Sequence, residues 1–204
     1  MGENFVVTIT RQFGSMGRPI AIKMAELLGI EYYDRDIVEM AARELDLPIS
    51  VISNSEETAK SSFFRMSLPL GGGTSEIQNR IFAAQSKIIS ELAERESCVL
   101  VGRCTDYLLR NHKNSIHIYI YAPYEDRISN CINYLMMEPD EAKRMIANVD
   151  KARDSYHKCY AGYLPEDCHY KDILINSSLL GIEETALYLT KAVKQRFQLS
   201  GRDV

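Results

Sequence analysis

The chain has 204 residues, enough for one sizeable hydrophobic core and short for two independent domains. Its apolar fraction of 46% and charged fraction of 25% are those of an ordinary globular domain. The formal charge of -4 and the pI near 5.6 argue against general binding to nucleic acid or to an anionic membrane surface, because polyanions are repelled on average. Any anion-binding site must therefore be a local cluster of cationic groups.

From its sequence we expect neither an export signal nor a membrane-spanning segment in this chain. No apolar run approaches the roughly 20 residues that cross a bilayer, and the start MGENFVV lacks the basic and apolar segments of a signal peptide. The five cysteines are odd in number and form no CxxC pair, which argues against a disulfide framework or a zinc cluster. The four histidines show no spacing that favours a metal site. We expect a cytoplasmic protein with reduced thiols and no assigned metal ligands, and a homo-oligomer is compatible with this sequence.

The hydrophobic pattern alternates between strands and helices from one end of the chain to the other. Runs of apolar and β-branched residues predict strands at 5–10, 30–33, the run SCVLVGR, 115–121 and 172–176. Apolar residues at helical spacing predict helices that follow these strands, the first with Ile20, Met24, Leu27 and Leu28 before Gly29, and the others at 34–45, 75–95, 125–136, 139 to about 160, and 182–197.

Strands that are apolar throughout and alternate with helices are typical of a parallel sheet with helices on both faces. We therefore predict a three-layer α/β fold with a five-stranded parallel sheet. One domain spans 1–204, with its core in 1–45, 76–135 and 170–204. The section 46–75, which contains small polar residues and three consecutive glycines, is predicted to be a flexible connection.

The loop RQFGSMGR, between the first strand and the first helix, resembles a phosphate-binding loop without its lysine. Such a loop binds phosphate through consecutive backbone N–H groups and the start of a helix, while glycines let the main chain come close. The pattern GxxxxGK[ST] fits in two registers. In one, Arg18 takes the lysine position and Gln12 the leading glycine.

The second register is preferred because it keeps the strand-to-loop junction and the helix length. Here Gly14 matches the common middle glycine, Gly17 takes the lysine position and Arg18 the hydroxyl position. Arg11 and Arg18 flank the loop and would provide the local positive charge that the acidic chain otherwise lacks. The predicted phosphate-binding loop consists of Arg11, Gln12, Phe13, Gly14, Ser15, Met16, Gly17 and Arg18. An ordinary turn between strand and helix, with glycines needed for positive φ, is the competing interpretation.

Four segments in order along the chain resemble the cytidylate kinase-like family, a branch of the P-loop nucleoside monophosphate kinases. They are ITRQFGSMGRPIAIKMAELLGIEYYDRDIV, CVLVGRCTDYLL, DKARDSYHKCYAG and ILINSSLLGIEE. Only about residues 46–75 lack a match. The resemblance implies the P-loop NTPase fold, a section that binds the nucleoside monophosphate at 46–75, and a mobile lid at about 136–169.

The resemblance also assigns roles to individual residues. Tyr33-Asp34 stands where cytidylate kinases begin their LDTGA segment beside the acceptor, although the following Thr-Gly is absent. Arg103 of Gly102-Arg103 matches an arginine that approaches the acceptor phosphate. Asp106 lies close enough to replace an aspartate whose position is taken by Cys104. The implied acceptor-binding residues are Asp34, Arg103 and Asp106.

The segment DKARDSY parallels the RDxxDsxR run of cytidylate kinases, in which arginines hold the transferring phosphoryl group. Lys151 and Arg153 supply the cations here, with carboxylates from Asp150 and Asp154. Together with Arg18, Lys151 and Arg153 are the predicted catalytic residues, because phosphoryl transfer depends on positive charge placed around the reacting oxygens. Further lid cations are Arg127, Lys143 and Arg144. A solvated helix face with surface ion pairs is the competing interpretation of this run.

The resemblance implies a kinase that uses ATP with Mg²⁺ to phosphorylate CMP, dCMP or a related small acceptor, with Mg²⁺ held through the nucleotide and water. A second hypothesis is a nucleotide-binding or phosphate-binding protein of the same fold that does not transfer phosphate. The missing lysine distinguishes the two, since Lys23 lies too far into the helix to reach the γ-phosphate and arginine is not an equivalent replacement.

Overall fold

The computed structural model describes residues 4–49 and 73–199, without the side chains of residues 73–75. Its five strands form a single parallel sheet in the order β2-β3-β1-β4-β5. The strands are β1 (Val6–Arg11), β2 (Glu31–Tyr33), β3 (Cys98–Val101), β4 (Ser115–Tyr121) and β5 (Ile173–Asn176). The predicted three-layer α/β fold with a five-stranded parallel sheet is confirmed.

The predicted helices are present, with ends displaced by one or two residues. In chain order the helices are α1 (Gly17–Leu28), α2 (Arg35–Leu45), α3 (Gly73–Arg95), α4 (Thr105–Leu108), α5 (Tyr124–Leu135), α6 (Pro139–Ala161) and α7 (Gly181–Arg196). The short helix α4 and a 3-10 helix at Cys168–Tyr170 were not predicted, because three or four residues are too few to show a helical period.

Successive residues of the strands send their side chains into two different cores. Val7 and Ile9 of β1 pack with Ile118 of β4 against α1 and α7. Val6 and Leu100 point to the other face, where they pack against α2 and α3. This alternation is why each strand is apolar throughout: both faces of the sheet are covered.

The parallel sheet brings the carboxyl ends of its strands to one edge. Arg11 ends β1, Asp34 follows β2, and Gly102 and Arg103 follow β3. Helix α6 covers most of the predicted lid. The predicted flexible section 46–75 lies mostly outside the described residues. None of the helices in the described ranges has both the length and the apolar character needed to cross a membrane.

Candidate active site

The loop between β1 and α1 has a conformation that leaves no room for a side chain at its centre. Gly14 has φ +77°, and a Cβ added there would lie 2.8 Å from the carbonyl oxygen of Arg127 on α5. Met16, just before α1, also has a positive φ of 58°. Glycine is therefore required at position 14, and the strained conformation of Met16 is of a kind that clusters at binding sites.

The loop presents a row of backbone N–H groups at the start of a twelve-residue helix. The N–H of Phe13 donates to Asp150 Oδ1 at 2.7 Å. Within the described part of the chain, the N–H groups of residues 14–18 donate no hydrogen bond. Gly14, Ser15, Met16 and Gly17 are nevertheless buried residues. Since buried N–H groups almost always have a partner, this row of donors is suited to an anion.

Three arginines from separate parts of the sequence converge on one buried carboxylate, that of Asp34. Arg103 Nη1 donates to Asp34 Oδ1 at 3.0 Å, and Arg11 Nη2 lies 3.6 Å from the same oxygen. Arg18 Nε lies 3.4 Å from Asp34 Oδ2. The side chains of Arg11 and Arg103 are only 14% and 12% exposed, whereas that of Arg18 is 54% exposed. The cluster carries more positive than negative charge, and Arg18 is the member with room to move.

Two glycines make room for the buried side chain of Arg11. A Cβ on Gly17 would lie 2.7 Å from Arg11 Cβ, and one on Gly102 would lie 2.5 Å from Arg11 Nη1. The base of the Arg11 side chain therefore packs against the start of α1, and its guanidinium lies against the end of β3. Gly17, which takes the lysine position of the preferred register, is thus the residue over which Arg11 passes.

Arg103 reaches Asp34 through an unusual backbone turn. Gly102, Arg103 and Cys104 all have positive φ, and the N–H of Thr105 donates to the carbonyl of Gly102 at 3.1 Å. Two consecutive non-glycine residues in the left-handed region are strained. The strained turn therefore holds Arg103, whose guanidinium donates to Asp34.

Helix α6 is joined to the loop by two arginines and one aspartate. Arg153 Nη1 donates to the carbonyl oxygen of Arg11 at 3.0 Å. Arg127 of α5 forms an ion pair with Asp150 and donates to the carbonyl oxygen of Phe13 at 3.3 Å. Asp150 therefore contacts both Arg127 and the Phe13 N–H, and it connects the predicted lid to the loop.

Burial lowers the pKa of Arg11, and the neighbouring charge of Asp34 opposes this effect. Burial and the charge of Arg11 lower the pKa of Arg153 to about 9. Both groups remain cationic at neutral pH. Two partly buried guanidiniums that repel each other are a source of attraction for an anion that enters between them.

The structure brings together most of the residues predicted for the site. Arg11, Arg18, Asp34, Arg103 and Arg153 form one cluster, and Arg127 lies beside Phe13. The side chains of Lys143, Arg144 and Lys151 are instead exposed on α6. Lys143 lies 3.9 Å from Asp140 and about 15 Å along the helix from Arg153, at about 1.5 Å per residue. In this conformation these three cations do not contact the cluster.

Asp106 lies in a separate buried ionic cluster beneath the lid. Its carboxylate accepts hydrogen bonds from His157 Nε2 at 3.0 Å, from the Tyr163 hydroxyl at 3.0 Å and from Lys171 Nζ at 2.5 Å. The side chains of Asp106 and Lys171 are 1% and 0% exposed. These three partners occupy the hydrogen-bonding sites of the carboxylate. The acceptor-binding role predicted for Asp106 therefore stays a prediction, with no contact to support it.

Sequence reasoning missed His157 and Lys171 as partners of Asp106. A signal for His157 was present, because it lies about three helical turns after the buried residue Ile146 and so on the same face of α6. Lys171 stands at the approach to β5 and carried no such signal.

Comparison with known proteins agrees with this architecture. A family model described as the cytidylate kinase-like family matches residues 6–179. No curated protein matches the chain. An uncharacterized protein from Eubacterium ventriosum ATCC 27560 is similar in structure, with a TM-score of 0.70, 22% identity and coverage of 95% of this chain and 100% of the other.

Two solved structures with named activities are also similar. Shikimate kinase from Acinetobacter baumannii, solved in complex with shikimate, has a TM-score of 0.54 at 14% identity, with 97% of this chain and 96% of the other covered. A gluconokinase from Sinorhizobium meliloti 1021 has a TM-score of 0.52 at 13% identity, with coverage of 98% and 100%. At these identities the likeness shows the fold alone.

Proposed function

Because the chain belongs to the cytidylate kinase-like family, we propose that it is a kinase that transfers the γ-phosphoryl group of ATP to CMP, dCMP or a related small acceptor. The observation that carries the proposal is the placement of Arg11, Arg18 and Arg103 beside the free N–H groups of the loop. Phosphoryl transfer is catalysed mainly by positioning and by positive charge around the reacting oxygens. This cluster supplies such charge without the lysine.

We assign different roles to Arg11, Arg103, Arg18 and Arg153 according to their burial. Arg11 and Arg103 are fixed by Asp34 and preorganise the site. Arg18 is half exposed at the first turn of α1, where it lies beside Asp34 and Tyr32, and in this proposal it turns from them toward the transferring phosphoryl group. Arg153 comes from α6 and contacts the loop carbonyl of Arg11, so movement of the lid moves a cation toward or away from the site.

The acceptor binds beside Asp34 and Arg103 in this proposal. Asp34 has hydrogen-bonding oxygens at the end of β2, and Arg103 offers a guanidinium at the end of β3. An incoming phosphate would replace the Asp34 carboxylate as the partner of part of the guanidinium groups. A guanidinium can bind two oxygens of a phosphate at once, which suits acceptor recognition.

The residues present fit the phosphates of ATP better than they fit a bound Mg²⁺. The N–H groups of residues 14–18 and the arginines match phosphate oxygens. The carboxylates beside the loop, Asp34 and Asp150, already face guanidiniums. Mg²⁺ would therefore take its ligands mainly from the nucleotide and from water, and would neutralise phosphate charge there.

The test is to incubate the protein with ATP, Mg²⁺ and each of a panel of acceptors, and to detect the phosphorylated product by ³¹P NMR. The panel contains CMP, dCMP, UMP, AMP and GMP, with shikimate and gluconate as acceptors without a base. Arg18→Ala and Arg153→Ala are expected to lower kcat by roughly 10²- to 10³-fold, the cost of removing one group that stabilises transition-state charge. Lys143→Ala, an exposed cation on the same helix as Arg153, is the matched control and should leave the rate unchanged.

A second candidate is a nucleotide-binding or phosphate-binding protein that does not transfer phosphate. One contact favours it: Asp150 accepts the Phe13 N–H at 2.7 Å, so a protein carboxylate already occupies one donor of the loop. Measurable binding of ATP or CMP without turnover of any acceptor would support this candidate and contradict the kinase.

A further inference from the structure

Two side chains from distant parts of the chain hold carbonyl groups of the phosphate-binding loop. Asn130 Nδ2 on α5 donates a hydrogen bond to the carbonyl oxygen of Gly14 at 2.9 Å. The hydroxyl of Ser177, the residue after β5, donates to the carbonyl oxygen of Ser15 at 2.6 Å. The bonded residues are 116 and 162 positions apart in the sequence, respectively. Each bond fixes the orientation of one peptide plane in the loop.

Both side chains are themselves held in place. Ser177 is only 4% exposed, and its N–H donates to the carbonyl oxygen of Tyr121 at the end of β4, at 2.9 Å. Its hydroxyl also lies 3.1 Å from that oxygen, and since a hydroxyl has one hydrogen, the shorter distance to the loop marks the stronger bond. Asn130 lies three residues after Arg127, on the same face of α5, and Arg127 donates to the carbonyl oxygen of Phe13. This face of α5 therefore holds two successive carbonyl groups of the loop.

The direction of a carbonyl group determines the direction of the next N–H. In a planar trans peptide the C=O of one residue and the N–H of the following residue point in opposite directions. The bond from Asn130 to Gly14 therefore points the N–H of Ser15 away from α5, and the bond from Ser177 to Ser15 points the N–H of Met16 away from the end of β5. Neither N–H donates a hydrogen bond to another group in the described ranges. A reversed peptide plane would present a carbonyl oxygen, which repels an anion, in place of a donor.

The backbone at Met16 needs this support. Its φ of 58° is unfavourable for a residue with a side chain. The bond from Ser177 fixes the peptide plane before Met16, and the N–H of Ile20 fixes the plane after it by donating to the Met16 carbonyl oxygen at 3.1 Å. Gly14 also has a positive φ, of 77°. Left-handed residues in such a loop turn successive N–H groups toward one side, which is the arrangement of an anion-binding concavity.

We propose that Asn130 and Ser177 are positioning residues of the anion site. Asn130 directs the N–H of Ser15 toward the bound phosphate, and Ser177 directs the N–H of Met16. Each side chain acts through one peptide plane. These roles rest on the phosphate site of the proposed function. They deepen it by naming what orients the N–H donors on which a loop without its lysine depends.

The test is a titration of the full ¹⁵N-labelled chain with inorganic pyrophosphate, followed through its backbone amides. Ser177→Ala removes the hydroxyl, and Asn130→Leu keeps a branched side chain and removes the donor. Each variant should bind pyrophosphate roughly 3- to 30-fold more weakly, the range expected when one hydrogen bond to a charged ligand is impaired. Ser177→Thr, which keeps a hydroxyl, should retain most of the affinity.

The amide signals distinguish positioning from a general structural role. In Ser177→Ala, the shift that pyrophosphate induces should be lost most at the amide of Met16. In Asn130→Leu, it should be lost most at the amide of Ser15. A loosened fold would instead reduce the induced shifts of the whole loop in the same way in both variants.

Matched controls change exposed neighbours on the same two segments. Ser178→Ala follows Ser177, and Asn133→Leu lies on α5 after Asn130. Both controls should bind pyrophosphate as the wild type does. Thermal melting without pyrophosphate shows which variants are folded at the temperature of the titration, and if one of the two test variants does not fold, the other still carries the test.

The positioning roles are overturned if the folded test variants bind pyrophosphate as tightly as the wild type. They are also overturned if both variants lose the same induced shifts, or if the loop amides of the wild type do not respond to pyrophosphate. A protein that phosphorylates no acceptor but shows the two separate amide patterns would keep these roles and contradict the kinase. Turnover by the wild type together with unchanged affinity in both variants would do the reverse.

Discussion

Replacing Asp34 by asparagine should destabilise the protein and make its stability depend on bound anions. Asp34 is 5% exposed and faces two buried guanidiniums, those of Arg103 at 3.0 Å and Arg11 at 3.6 Å. At an effective dielectric constant of about 20, each pair contributes roughly 5 kcal/mol of Coulomb attraction, which desolvation offsets in part. Removing one partner of a buried ion pair typically costs about 3–5 kcal/mol.

This loss corresponds to a fall in melting temperature of roughly 6–20 °C for a domain of this size. Sulfate should restore much of it in the variant, because an anion that binds only the folded state adds about 2.7 kcal/mol at a concentration 100 times its Kd. The wild type should gain less from sulfate, since Asp34 already neutralises part of the cluster.

The assay is thermal melting by circular dichroism in chloride and in sulfate at equal ionic strength. Asp126→Asn, an exposed carboxylate on α5, controls for the loss of one negative charge. A melting temperature for Asp34→Asn within about 2 °C of wild type would refute the charge argument. Equal stabilisation of both proteins by sulfate would show that the anion binds elsewhere.

Three further predictions concern residues around the site. Asp106→Asn leaves the fully buried ammonium of Lys171 unpaired and should lower the free energy of unfolding by about 3–5 kcal/mol in urea titrations, with part of the loss recovered in the double variant Asp106→Asn/Lys171→Met. Asp154→Asn should stabilise the protein by on the order of 1 kcal/mol at pH 8, after allowance for solvent screening, because the raised pKa of Asp154, about 6, makes its ionised form unfavourable in the folded state. A carboxyl with a raised folded-state pKa lowers the stability of the protein as pH rises from about 4 to 6, so the gain from Asp154→Asn should disappear below pH 4 in melting curves. A gain that is equal at all pH values would contradict the raised pKa. Gly17→Ala places a Cβ 2.7 Å from Arg11 Cβ, so it should cost about 1–3 kcal/mol of stability and weaken binding of inorganic phosphate; unchanged stability and phosphate affinity would contradict the position of Arg11.

The acid response of the Asp106 cluster has a definite sign. Burial alone would raise the pKa of Asp106, but the hydrogen bonds and charges of His157 and Lys171 outweigh it and hold that pKa well below its usual range. A carboxylate with a depressed folded-state pKa contributes stability that is present above its unfolded pKa of about 3.9 and is lost at lower pH. This cluster should therefore help to keep α6 in place at neutral pH and release it in strong acid.

The fold and half of the site were predictable because they depend on local pattern and on one topological rule. Apolar runs gave the strands, and parallel strands place their carboxyl ends at one edge, which is where Arg11, Asp34 and Arg103 meet. The contacts of α6 were not predictable. They depend on the angle at which a 23-residue helix packs, and no sequence spacing relates Asp150 to Phe13 or Arg153 to Arg11.

The conformation of the turn after β3 was also outside the reach of the sequence. A positive φ is expected for Gly102 but not for Arg103 or Cys104, whose side chains disfavour it.

The most direct test of phosphate binding at this loop is a titration of the ¹⁵N-labelled protein with inorganic pyrophosphate, monitored through its backbone amides. The central claim is that the N–H groups of residues 14–18 bind phosphate with the help of the arginines around Asp34. We expect amides of this loop to shift first and saturate, and Arg103→Ala to weaken the binding by roughly tenfold or more. Shifts confined to other parts of the chain, or saturation unaffected by Arg103→Ala, would contradict it.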